Sequence, residues 1–361
     1  MIPLFKVNMS GKAEDAVADV LRSGNVTIGP RVDEFEEKLQ AAFGLDRPPI
    51  TTNSATSAID LALELCGVGP GDEVISTPQT CFASNIGAIH RGAKIRWADI
   101  DTATGLINIA SVAHLINKKT KAIIAVNWAG VPADYRRLKY FGVPVIEDAA
   151  HNLDTFEESL KREHGDYVVY SFQAIKFLTS GDGGMLITPP EREHEARLLR
   201  WYGLDRTIGQ SFRLTQDVQV AGFKYNMNDI AAAVGIANLD TASDGVMAHR
   251  DNAFDYVEAF SDLWWLLTPK FRQEASYWIY PLVVAPGVSR DDLNRHLNAN
   301  GIGTNMVHYR NDRYSSTSQF TERELVGVDY FTDHQTNIPV GWWLLPDDKE
   351  HIIDTVRNFK P

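Results

Sequence analysis

Three kinds of side chain in this sequence could act together, and each sits just after a short strand-like run. The first is Lys176, set among Phe172, Ala174, Ile175, Phe177 and Leu178 in "SFQAIKFLTSGDGG". Apolar neighbours strip water from an ammonium, lower its pKa and raise the fraction of neutral amine, as a lysine that bonds to a carbonyl carbon requires. The second is Asp148, which ends "VPVIED" and precedes "AAH"; a carboxylate buried there needs a cationic or donor partner. The third is "SATSA" after "PPITTN", small and hydroxyl residues that cap a helix and leave its first N–H groups pointing outward, a geometry that holds phosphate. Taken singly, each has an ordinary reading: a snorkelling surface lysine, a capping or salt-bridged aspartate, a plain helix cap. In this chain order on one sheet they offer an amine for an aldehyde, a partner for a ring nitrogen and an anchor for a phosphate. Those are the requirements of pyridoxal 5'-phosphate, PLP.

The elements that must position these groups show in the same stretch. From residue 50 to residue 188 the runs "PPITTN", "EVIST", "KIRWADI", "KAIIAV", "VPVIED", "DYVVYSF" and "GMLIT" read as strands. They alternate with amphipathic segments such as "TSAIDLALELC", where Ile59, Ala62, Leu63 and Cys66 recur at helical spacing. The alternation predicts an α/β fold, a mostly parallel sheet flanked by helices, with ligands at the carboxyl ends of the strands. A long helical pattern runs from about Asn228 to Leu263, and "YWIYPLVVA", "SRDDLNRHLNANG" and "DKEHIIDTVRNF" make a smaller α+β unit. An interruption of the helix near "TASDGV" sets a soft boundary, giving a large domain over 1–245 and a small C-terminal domain over 246–361.

With 361 residues and 44% hydrophobic composition the chain can bury the cores of two such domains. Apolar runs such as "AIIAV" fall far short of the roughly 18 residues of a membrane span. The start, "MIPLFKVNMSGK", lacks signal-peptide features, so a cytoplasmic protein is expected. A net charge of -12 speaks against a nucleic-acid partner and leaves small molecules as the expected ones. Neither Cys66 nor Cys81 lies in a metal-ligand pattern, so no metal is expected. The glycine pattern "GVGPG" follows a helix and reads as a turn, not a nicotinamide fingerprint.

Eight ordered segments resemble the sugar aminotransferases of the DegT/DnrJ/EryC1/StrS family, PLP enzymes of fold type I. They are "SGNVTIGPRVDEFEEKL", "NSATSAIDLAL", "GDEVISTP", "GAKIRWADID", "EDAAHNLDT", "SFQAIKFLTSGDGG", "GFKYNMNDIAAAVG" and "GIGTNMVHY". The resemblance implies a seven-stranded sheet in the large domain, with Lys176 bonded to the cofactor and Asp148 on its pyridine nitrogen. Ala150 would pack on the ring, His151 would lie near the ring hydroxyl where many relatives carry Gln, and Ala55, Thr56 and Ser171 would hold the phosphate. It implies a homodimer with shared active sites, in which Lys224 or Asn226 of "KYN" reaches the neighbour's cofactor. Where most relatives stack an aromatic on the ring, this chain has Cys81 and then Phe82, so either the thiol covers the ring or Phe82 moves in; a small buried hydrophobe is the plain reading of Cys81. Relatives that act as sugar 3-dehydratases carry His where Lys176 stands, which argues against that chemistry here.

Substrate positions implied by the resemblance are Thr27, His308, Tyr309 and Arg310, the last offering a partner for a pyrophosphate or carboxylate; a solvated charged loop is the alternative. Trp264, Trp265, Trp342 and Trp343 read as core or interface packing rather than sugar platforms. The implied reaction carries an amino group from an amino acid, L-glutamate by analogy, to a keto group of a nucleotide-linked keto-deoxysugar. A keto-cyclitol or polyol ketone acceptor is the alternative, and a PLP-binding regulator without activity is a further one.

Overall fold

All seven runs read as strands join one sheet in a computed structural model that describes residues 1–209, 212–267 and 269–361. They are β1 (Ile50–Thr52), β2 (Glu73–Ser76), β3 (Lys94–Trp97), β4 (Thr120–Val126), β5 (Val145–Asp148), β6 (Tyr167–Ser171) and β7 (Gly184–Ile187), in the spatial order β1-β7-β6-β5-β4-β2-β3. Neighbours from β6 across to β3 pair in parallel, whereas β7 runs antiparallel to both β1 and β6. Val74, Ile75, Ile123, Ile124, Val145 and Ile146 are fully buried, because helices cover both faces of the sheet. Parallel order sends the chain back through crossover helices and leaves the carboxyl ends of β4, β5 and β6 side by side.

The antiparallel strand β7 has a local consequence. Its register sets Gly184 between Thr52 of β1 and Ser171 of β6. A Cβ on Gly184 would lie 2.6 Å from the backbone nitrogen of Ala55, the first residue of the helix Ala55–Leu65. Only glycine lets that helix start so close to the sheet edge.

The helix interruption expected at "TASDGV" does not occur. One helix, Asp229–Phe260, runs through it, capped at its start by Asn228, whose side chain accepts from the Ala231 amide. Thr, Ser, Asp and Gly are weak helix formers, but here Ala242 and Val246 are buried in the main core and packing overrides propensity. The boundary at residue 245 therefore falls inside a helix whose later residues Ala253, Tyr256 and Phe260 enter a second core. That core is built around the antiparallel pair β8 (Tyr280–Val283) and β9 (Gln335–Ile338). Ile2 bridges to Ile302 and packs on the second core, while Phe5 packs on the main one. Trp265 is buried there, while Trp264 is exposed.

Strand β9, "QTNI", escapes a hydrophobicity reading because three of its four residues are polar. They are nonetheless buried, and two of them, Gln335 and Asn337, bond a neighbouring loop. Gln335 Nε2 donates to the Met306 carbonyl (3.0 Å) and Asn337 Nδ2 to that of Asn305 (2.7 Å). That loop, residues 305–308, reaches the candidate site.

Candidate active site

A cavity of about 490 Å³ opens beyond the carboxyl ends of β4, β5 and β6, and Lys176, Asp148, Ser171, Ala55 and Thr56 all line it. Lys176 is carried on a loop closed at its base by Phe172, whose amide donates to Gly183 (2.9 Å) and whose carbonyl accepts from Ser180 (2.9 Å). Its Nζ lies 3.5 Å from the centre of the Trp278 ring. The indole is fixed there by its own N–H, which donates to the Ile175 carbonyl (2.9 Å). Burial pushes the Lys176 ammonium down to about 7, against the opposing pull of Asp148 and Cys81. Near neutral pH the group is poised between charged and nucleophilic forms.

Asp148, at the end of β5, is almost fully buried. Burial raises its pKa, while the Ser84 hydroxyl, the Ala150 amide and the Lys176 charge hold it down. Ser84 Oγ donates to Oδ2 at 2.6 Å and the Ala150 amide to Oδ1 at 3.1 Å. A carboxylate so placed can hold a proton on a ring nitrogen. Glu147, next in the strand, faces the other way. Burial would raise it, but the Arg162 guanidinium and His164 bring it down to about 2. Glu147, Asp154 and His164 have metal-ligand spacing, yet Arg162 already lies between the two carboxylates and pairs with both.

The phosphate cradle forms at the start of the helix Ala55–Leu65. Ser54 caps it, its Oγ accepting from the Ser57 amide (3.1 Å), which leaves the first two amides, of Ala55 and Thr56, at the cavity wall beside Ser171. Opposite stands a column of rings. Phe5 stacks on Trp278 (centroids 4.8 Å), Trp278 on His151 (4.0 Å), and His151 lies nearly parallel to His308 (5.8 Å). Burial, with the Lys176 charge second, pushes the His308 imidazole down to about 4, and burial holds His151 well below the usual histidine range. His151 Nδ1 and His308 Nε2 are buried without a hydrogen-bond partner.

Comparison with known proteins fits this arrangement. The model of the DegT/DnrJ/EryC1/StrS aminotransferase family matches residues 8–357. The chain belongs to that family. Among solved structures, AtS13 of Actinomadura melliaura is 37% identical, with a TM-score of 0.91 over 100% of this chain and 99% of that one. The sugar aminotransferase CalS13 of Micromonospora echinospora is 31% identical, with a TM-score of 0.90 over 99% and 100%. The spore coat polysaccharide biosynthesis protein SpsC of Bacillus subtilis is 30% identical over 98% of this chain and 96% of its own length.

As a member of the DegT/DnrJ/EryC1/StrS family the chain is a fold type I, PLP-dependent aminotransferase. Its residues fit the cofactor. The glycine at 184 keeps the cradle open, a buried carboxylate faces the cavity with Lys176 as its nearby cation, and the His151 Nδ1 lacks a partner that a polar ring substituent would supply. Ala150 and His151 line the cavity, as does Cys81. Phe82 does not; its ring packs on Tyr314 at 5.2 Å, so the thiol and not the phenyl faces the cofactor space.

Other expected site residues lie elsewhere. Arg310 does not face a substrate anion: it is buried, and its guanidinium is taken up by Asp312 (Nη2 to Oδ2, 2.6 Å; Nε to Oδ1, 2.7 Å) and by Asp329. Tyr309 is exposed and leans on Tyr314 at 5.5 Å, outside the cavity, whereas His308 lines it. Thr27 and Lys224 share a different, open groove with Trp201, and Lys224 Nζ lies 3.7 Å from that indole's centre. Asn226 accepts from Lys224 Nζ (2.7 Å) and is buried. Within one chain none of these three reaches the Lys176 cavity. Sequence reasoning missed Ser84, Thr80, Phe5 and Trp278. Ser84 and Thr80 sit in "STPQTCFAS", whose density of hydroxyls after a strand was the available signal; for Phe5 and Trp278 there was none, because the two meet only in the folded chain.

Proposed function

We propose that this aminotransferase moves an amino group from an amino acid, L-glutamate by preference, to a keto group of a nucleotide-linked keto-deoxysugar. The observation that carries the reading is the half-buried Lys176 amine facing Asp148 across a cavity with a helix-start cradle, in a chain close to CalS13, a sugar aminotransferase, and to SpsC, a polysaccharide biosynthesis protein. PLP, when bound, supplies an electron sink for the carbon that loses its proton. The chain's own residues do the rest. Ala55, Thr56 and Ser171 hold the phosphate, and Asp148 keeps a proton on the ring nitrogen. Lys176, neutral for much of its time near pH 7, removes and returns the proton at the substrate carbon. The ring column from Phe5 to His308 closes one side against water, with His308 lining the substrate space.

Thr27, Lys224 and Asn226, which stand off from their own chain's cavity, serve the neighbour's site in a homodimer. Among the described residues no helix is long and apolar enough to cross a membrane, which suits an enzyme that works on small soluble substrates. The test is an acceptor panel with glutamate as donor and 2-oxoglutarate as readout. Amination of a nucleotide-linked keto-deoxysugar, lost in Lys176→Ala, is the expected result. Turnover confined to keto-cyclitols or simple polyol ketones would refute the sugar assignment, and full turnover by Lys176→Ala would refute the role of the lysine.

A further inference from the structure

The carboxylate of Asp148 is the end of a hydrogen-bonded chain that no part of the mechanism above uses. Ser84 Oγ donates to Asp148 Oδ2 at 2.6 Å, and Thr80 Oγ1 lies 2.8 Å from Ser84 Oγ. An ionised carboxylate only accepts, so the Ser84 proton must point to Asp148, and the Thr80 proton must then point to Ser84. All three side chains are 3% exposed or less. The segment that carries Thr80 is itself clamped by the second unit. Asn311 Nδ2 donates to the Thr80 carbonyl (2.9 Å), the Asn311 amide donates to the Pro78 carbonyl (2.9 Å), and Asn85 Nδ2 donates to Asn311 Oδ1 (2.7 Å). Asn85 and Asn311 are both fully buried.

We infer that Thr80 and Ser84 are positioning residues that keep Asp148 ionised, so that it, rather than the cofactor's ring nitrogen, gives up their shared proton. In a dry site a carboxylate and a pyridine nitrogen that share a proton favour the uncharged pair, with the proton on oxygen, unless hydrogen bonds stabilise the carboxylate and so send the proton to nitrogen. Two aligned hydroxyl dipoles stand in for the water that Asp148 has lost, and each polarises the next. The Ser84 bond is also among the influences that lower the Asp148 pKa against burial. Asn311 makes the relay depend on docking of the loop that also brings His308 to the cavity, which ties the charge on Asp148 to closure of the substrate side.

The relay rests on the PLP assignment, and its test separates the two. Apo-protein is titrated with PLP and with an analogue in which C–H replaces the ring nitrogen. Ser84→Ala should weaken PLP binding about tenfold or more, the scale of a lost hydrogen bond to a charged group, and leave analogue binding unchanged. Thr80→Val, which keeps the Ser84 bond, should weaken PLP about two- to fivefold with the same indifference to the analogue, and Ser84→Thr should restore wild-type binding. Equal weakening of both ligands, or of neither, would overturn the relay while leaving the cofactor assignment standing. A wild-type chain that does not bind PLP would overturn both. If Ser84→Ala does not fold, the two-ligand comparison on Thr80→Val decides.

Discussion

The sharpest quantity the structure offers is the acidity of Lys176. Its ammonium is pushed down to about 7 by burial, with Asp148 and Cys81 opposing. At pH 7.5 a group with that value is about three-quarters neutral, whereas an ordinary lysine is neutral in about one molecule per thousand. Competitive labelling of the apo-protein with trace acetic anhydride, read peptide by peptide by mass spectrometry between pH 5.5 and 10.5, measures this directly. Lys176 should titrate near 7, and its reactivity at pH 7.5 should exceed that of an ordinary lysine by roughly tenfold, because the gain in neutral fraction is partly offset by the lower nucleophilicity of a less basic amine. The sign for stability follows. The folded value lies below the unfolded one, so between about pH 7 and the ordinary lysine range the unfolded chain holds a proton that the folded chain has released. Apo-protein stability therefore gains from this group as pH rises through that window, and the gain is absent below it. A labelling midpoint for Lys176 that matches the exposed lysines would refute the claim that the cavity desolvates the amine, and with it the proton-transfer role at neutral pH.

Two further substitutions separate architecture from chemistry. Arg310→Met should cost about 3 kcal/mol of stability by stranding buried Asp312, seen as a lower urea midpoint, while the KM for the sugar acceptor stays at the wild-type value in the protein that folds; a large KM rise at unchanged stability would return Arg310 to the substrate site. Gly184→Ala should force its new methyl group into the Ala55 amide, with a loss of roughly 1–3 kcal/mol and weakened PLP binding in an absorbance titration; wild-type affinity would mean that the close approach is not needed for the cradle.

The large sheet was legible because its strands are short β-branched runs, and each delivers its chemistry within a few residues of its end. Asp148 closes β5, Ala55 and Thr56 follow β1, and Lys176 comes five residues after Ser171. Local order in the chain was enough there. What failed was whatever depends on a distant partner. Arg310 reads as a free cation until the folded loop turns Asp312 back onto it and a later helix adds Asp329. The residues of "TASDGV" read as a break until the main core takes Ala242 and Val246. Strand β9 carries no strand signal of its own and is held where its side-chain amides find the backbone at Asn305 and Met306. Cys81 and Phe82 could not be told apart by sequence either, because adjacent side chains at a helix start diverge and only the position of Tyr314 shows which one is claimed elsewhere.

The stacking of Phe5 on Trp278, and the bridge from Ile2 to Ile302, join residues that lie far apart along the chain into one wall. On the ribosome Ile2 and Phe5 must stay without these partners until Trp278 and Ile302 have emerged, while the sheet that carries Asp148 and Lys176 can already assemble. Such an order of events would leave a nascent chain with its cofactor-gripping groups in place and its substrate side still open to water.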